Sequence, residues 1–122
     1  MELLAHMTEV LRYWADEIVA VAARPGRTFG RRVDDAERTG WVAAHGADLL
    51  DAMTRDLAAA GDYARARLLA IPASGWAATG VHLSMGEMAL PDIVARVLTG
   101  HLAEHLDQAR AKYAAVAGAA PD

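Results

Sequence analysis

Apolar side chains recur at three- and four-residue spacing over long stretches of this chain, and that periodicity restricts it to packed amphipathic helices. Leu3, Leu4, Met7, Leu11, Trp14, Ile18 and Val21 form one such stripe, so a first helix is expected from near Glu2 to about Ala23, ended by Arg24-Pro25-Gly26. A second helical segment is expected over roughly Trp41 to Ile71, burying Leu50, Met53, Leu57, Ala60, Ala64, Leu68 and Ile71, with Gly46 and Gly61 as points where it can break or bend. Pro72 closes it. A third helix opens at Pro91 and Asp92 and runs to about Val116, where proline suits the first turn and the carboxylate meets the positive end of the dipole.

Two connections separate these segments. Residues 27–40 are rich in glycine and charge and read as a polar link outside the core, with Asp34 or Asp35 placed to cap a short helix. Residues 72–90 read as a loop punctuated by Gly75, Gly80 and Gly86. Its Trp76, Val81, Leu83, Met85 and Met88 imply that it packs over something.

Composition agrees with helices: 54% of the 122 residues are hydrophobic, much of that alanine, and only 6% are aromatic. The expected fold class is therefore all-α. One domain is expected over residues 1–116, followed by a frayed Ala-Gly-Ala-Ala-Pro-Asp tail at 117–122. A net charge of −4 offers no basic footprint for nucleic acid. With no run of about twenty apolar residues, no membrane span is expected. Glu2 stands where a leader would carry basic residues, so a cytoplasmic protein is expected. Without cysteine, a transition-metal site has only histidine and carboxylate to draw on.

His101 and His105 are the candidate chemistry. They stand one helical turn apart on the stripe Val94, Val97, Leu98, His101, Leu102, His105, so both imidazoles leave one face and can converge on a metal ion. Four-residue spacing is weak by itself. Its position on an apolar stripe matters more, because a buried imidazole must be hydrogen-bonded or metallated to offset desolvation. His6, at the edge of the first stripe, supplies the third ligand of a three-histidine site spanning two helices. The competing reading is a buried hydrogen-bond network with His6 as an edge residue. Gly100, beside His101, costs about 1 kcal/mol of helix propensity and leaves room for a close approach by a helix or ligand.

Other polar residues have two readings each. Glu9 and Glu104 are candidates to orient a ligand or are ordinary helix carboxylates. His82, in the loop before the third helix, is a candidate substrate contact or outer ligand, or simply a loop residue. His45 is read as exposed or capping. Trp14, Trp41 and Trp76 are read as packing, with a pocket wall as the alternative. His101-Leu-Ala-Glu-His105 also fits a zinc-peptidase pattern, but that architecture needs a carboxylate ligand on a later helix, and only Asp107 and Asp122 follow.

Glu-Leu-Leu-Ala-His6-Met-Thr-Glu, the Trp76-x-x-x-Gly80-x-His82 segment, and Gly-Glu-Met-Ala-Leu-Pro-Asp-Ile-Val leading into His101-Leu-Ala-Glu-His105-Leu-Asp-Gln108 together resemble the DinB-like superfamily. The resemblance spans residues 6–108. It implies a bacterial four-helix bundle, here lacking the helix that normally precedes the first histidine. It also implies a divalent metal, zinc or nickel, on His6, His101 and His105, and activation of a low-molecular-weight thiol for transfer to an electrophilic small molecule. A groove left open by the missing helix implies a homodimer. The alternatives are a metal-dependent hydrolase and a non-catalytic helical module for dimerisation or ligand binding.

Overall fold

The computed structural model describes residues 2–32, 35–45 and 50–119. Helix α1, Glu2–Ala23, is the element around which the others pack. Its Trp14, Ile18 and Val21 are buried as the spacing predicts, whereas toward the N-terminus Ala5 and Val10 are buried and Leu3, Leu4, Met7 and Leu11 are half-buried. Thr8 is also buried, and its hydroxyl donates to the Leu4 carbonyl at 2.8 Å, which satisfies it inside the helix. Opposite lies α3, Leu50–Leu69, which presents Met53, Ala60 and Ala64 to the interior. Two alanines one turn apart permit close approach of the helix backbones. Leu50, expected in that buried set, is instead 60% exposed.

The single helical segment expected over 41–71 is divided. Helix α2, Ala36–His45, precedes α3, and Gly46 falls outside the described residues. Asp35 caps α2 by accepting the backbone N–H groups of Glu37 and Arg38, both at 3.1 Å. Asp34, the alternative cap, also lies outside the described residues. Gly61 sits within α3 and does not end it.

The all-α expectation is wrong. Three strands form a mixed sheet in the order β1-β2-β3: β1 is Thr28–Phe29, β2 is Thr79–His82 and β3 is Gly86–Ala89. β1 runs parallel to β2, with Thr28 opposite Val81 and Phe29 opposite His82. β2 and β3 are an antiparallel hairpin pairing Thr79 with Ala89 through to His82 with Gly86. The 27–40 connection, expected to lie outside the core, therefore enters it through Phe29, and the 72–90 connection, expected to pack over something, does so as two strands with Met88 in the core. Phe29 is 2% exposed and joins Trp14, Ile18, Met88, Leu90 and Ile93 in the main apolar cluster.

Physical reasons for the misreading lie in the glycines. Gly80 is a strand residue packed against an aromatic ring, since a Cβ there would lie 2.9 Å from the Phe29 side chain. Gly86, at φ 76°, turns the hairpin, and Gly26, at φ 84°, turns the chain from α1 into β1 while donating to the Thr79 carbonyl. A 3₁₀ turn, Ala73–Ala77, links α3 to β2.

The last third of the chain is helical but irregular. Helix α4, Leu90–Ile93, passes into a π-helical turn, Val94–Thr99, and then into α5, Gly100–Ala119. Leu90, Ile93, Val97 and Leu98 are buried, whereas residues 111–118 of α5 are exposed. Among the described residues, no helix is long and apolar enough to cross a membrane.

Candidate metal centre

The π turn delivers the two late histidines to their position. A π turn closes its hydrogen bonds five residues back and so inserts one extra residue into the helix, rotating the downstream side chains by about 100°. Gly100 donates its N–H to the Ala95 carbonyl, and the Thr99 hydroxyl donates to the Val94 and Ala95 carbonyls, both at 3.3 Å. A Cβ on Gly100 would lie 2.6 Å from the Ala95 oxygen. Within the helix, then, the space left by the missing side chain belongs to its own backbone.

Below this turn His101 and His105 project toward His6 on α1, and all three rings are half-buried. One nitrogen from each lies within 4.8 Å of the other two, a set of three that can hold a metal ion. The nitrogens of the late pair are closest, with His101 Nε2 and His105 Nε2 2.7 Å apart. On the far side of its ring, His105 Nδ1–H donates to Gln108 Oε1 at 3.0 Å. That bond leaves a lone pair on His105 Nε2, directed at His101. His6 Nδ1 is buried without a hydrogen-bond partner.

Electrostatics disfavour the protonated forms of His6 and His101. Burial pushes the His6 pKa down to about 4, helped by the positive charge of Arg38 and by the neighbouring His105 and His101. Burial also lowers that of His101, with His105 adding to the effect and Glu104 and the Val97 backbone opposing it. Neutral imidazoles are the ligating form. A hydrogen-bond network without metal accounts for the His101–His105 contact but leaves the His6 nitrogen orphaned.

The remaining sequence candidates occupy distinct positions. Glu9, one turn after His6, forms a close ion pair with Arg31, whose guanidinium lies 3.6 Å over the Tyr13 ring. Glu104 is exposed and reaches the cluster only through its charge. His82 belongs to the hairpin: its Nδ1 accepts the N–H groups of Ser84 and Met85 at 3.1 and 3.2 Å, and its ring stacks on Trp14. His45 Nδ1–H donates to the Trp41 carbonyl at 3.0 Å, and its ring stacks on the Trp41 indole. Trp14 is core, and Trp41 and Trp76 are half-buried.

Three participants were not singled out by sequence reasoning. Gln108, three residues after His105 on the same helix face, was open to detection by the spacing rule that found the histidines. Arg38 and Lys112 required the fold. With His6, Leu3, Thr39, Val42 and Ala43 they line a cavity of about 430 Å³ beside the cluster.

No family model matches the chain, and comparison with curated proteins and with solved structures returns no match. The DinB-like resemblance is overturned by the fold itself. A sheet-free four-helix bundle has no place for the three-stranded mixed sheet, whose β1 and β3 carry the core residues Phe29 and Met88. What survives is the local arrangement of three histidines on two helices.

Proposed function

We propose that the protein is a divalent-metal-dependent enzyme whose centre on His6, His101 and His105 activates a small coordinated nucleophile, a low-molecular-weight thiol in the first instance. The observation that carries the reading is the convergence of His105 Nε2, fixed as a lone-pair donor by Gln108, with His101 Nε2 and with His6, whose buried Nδ1 has no hydrogen-bond partner. Zinc or nickel fits an all-imidazole donor set, and three protein ligands leave positions open for substrate. When bound, such an ion supplies Lewis acidity and favours the thiolate over the thiol.

The chain's own residues supply the rest. Neutral histidines leave the ion's charge undiminished, which strengthens its hold on an anionic ligand. Arg38 and Lys112 add positive charge around the adjoining cavity and suit a cosubstrate carrying a carboxylate or phosphate. Gln108 holds the His105 ring in its ligating tautomer. Assays with and without thiol separate transfer from hydrolysis.

Metal binding is tested by melting untagged protein with and without zinc or nickel. Saturating metal at about a hundred times its dissociation constant adds roughly 2.7 kcal/mol, so the melting temperature rises by several degrees. The rise disappears in His101→Ala. A wild-type melting temperature indifferent to both metals would sink the proposal.

We further propose that the chain pairs with a second copy through α5. Leu106, Tyr113 and Val116 are exposed on that helix and share a three-and-four spacing with Leu102 and Ala109. Glu104 and Asp107 precede Arg110 and Lys112, so antiparallel pairing sets opposite charges against each other. Light scattering should give a dimer for the wild type and a monomer for Tyr113→Glu; a wild-type monomer at micromolar concentration contradicts the pairing.

A further inference from the structure

A second cavity lies on the opposite face of α2 from the histidine cluster. It measures about 360 Å³, within the size range of small-molecule pockets, and its walls include Glu9, Tyr13, Arg31, Glu37 and Trp41. Two wall residues carry polar atoms that the protein leaves unsatisfied. Glu9 spends Oε1 on Arg31, while its Oε2 is buried without a partner on a side chain that is only 10% exposed. Trp41 Nε1 is likewise buried without a partner. Two other wall residues are engaged: Asp16 accepts from the Tyr63 hydroxyl at 2.5 Å and from Arg67 Nε at 3.2 Å, and Arg31 is held between Glu9 and the Tyr13 ring.

An unsatisfied buried acceptor and an unsatisfied buried donor each cost free energy that a complementary ligand recovers. Glu9 Oε2 asks for an N–H. Trp41 Nε1–H asks for a carbonyl or similar acceptor. The Tyr13 and Trp41 rings offer aromatic surface beside these groups, which favours a flat ligand. We infer that this cavity is a binding site for a small, neutral, planar molecule with an amide-type edge, an N–H donor next to a carbonyl acceptor, as in an aromatic carboxamide or a lactam ring. A carboxylate fails at Glu9, where it meets like charge. An amidine satisfies Glu9 but has no acceptor for Trp41. The site is independent of the metal centre and serves metal-free and metal-loaded protein alike.

Three probes of matched shape separate these cases: benzamide, benzamidine and benzoate, titrated into ¹⁵N-labelled full-length protein while the indole N–H resonances are followed. Fragments of this size bind in the millimolar range, so titrations run to about 50 mM. Benzamide should move the Trp41 indole N–H resonance, assigned by its absence in Trp41→Phe, and bind at least about tenfold more tightly than benzoate. Trp41→Phe should weaken benzamide about tenfold and leave benzamidine unchanged, because only benzamide uses the indole donor. Should Trp41→Phe fail to fold, Glu9→Gln serves for the other edge, and the ranking of the three probes on wild type still decides. Benzoate or benzamidine binding as well as benzamide, or a Trp41 indole resonance unmoved by benzamide, overturns the inference.

Discussion

An imidazole buried beside other imidazoles resists protonation, and His6 shows how far. Burial first, then Arg38 and the two neighbouring histidines, bring its pKa from the ordinary 6.5 down to about 4, and His101 moves in the same direction. Between those two values the unfolded chain takes up a proton that the folded chain refuses, so the stability contributed by the neutral ring is complete above 6.5 and is lost as pH falls toward 4. Metal-free protein should therefore lose melting temperature steadily across that window, and His6→Gln, which has no imidazole to protonate, should flatten the slope. A wild-type melting temperature constant through the window contradicts the burial argument. At this scale the sequence was most informative, because buried histidines at one-turn spacing are costly however the rest of the chain folds. Gln108 was legible by the same spacing, whereas Arg38 and Lys112 come from elements whose placement spacing alone does not reveal.

Among the elements, the π turn at Val94–Thr99 decides where the metal ligands point. The apolar stripe through Val94, Val97 and Leu98 leads to the histidines, but a period of 3.6 residues carries no sign of an inserted residue. Gly100 is the one local signal: any Cβ there collides with the Ala95 carbonyl. Gly100→Ala should therefore push the turn toward regular α-helix, gaining up to about 1 kcal/mol of helix propensity while rotating His101 and His105 away from His6. The expected outcome is a folded protein with helical content preserved and metal affinity lowered at least about tenfold, the scale of losses for disturbed ligand support. Unchanged metal affinity in Gly100→Ala would show that the turn does not set the ligand geometry. The sheet was illegible for a related reason. A two-residue strand such as Thr28–Phe29 is too short to show alternation, and Gly80 and Gly86 read as loop signals, although one packs against Phe29 and the other makes the hairpin turn.

For the whole molecule, the apolar stripes of α1, α3 and residues 90–98 were visible in the sequence because each of these segments buries one face, and α1 keeps its predicted bounds from Glu2 to Ala23. Their assembly was not visible. Whether Phe29 belongs to a surface link or to the core depends on β2 lying about fifty residues later, and local patterning cannot report a parallel pairing over that separation. The mixed sheet ties the end of α1 to the start of α4, and the histidine cluster lies toward the other end of α1, where α5 leaves the core. The proposed chemistry depends on that cluster being a metal centre. X-ray absorption on protein loaded with one equivalent of zinc or nickel tests it most directly: three imidazole nitrogens at about 2.0–2.1 Å are expected for zinc, falling to one in the His101→Ala, His105→Ala double variant. A coordination sphere built from water and carboxylate oxygens with no imidazole, unchanged in the double variant, would contradict it.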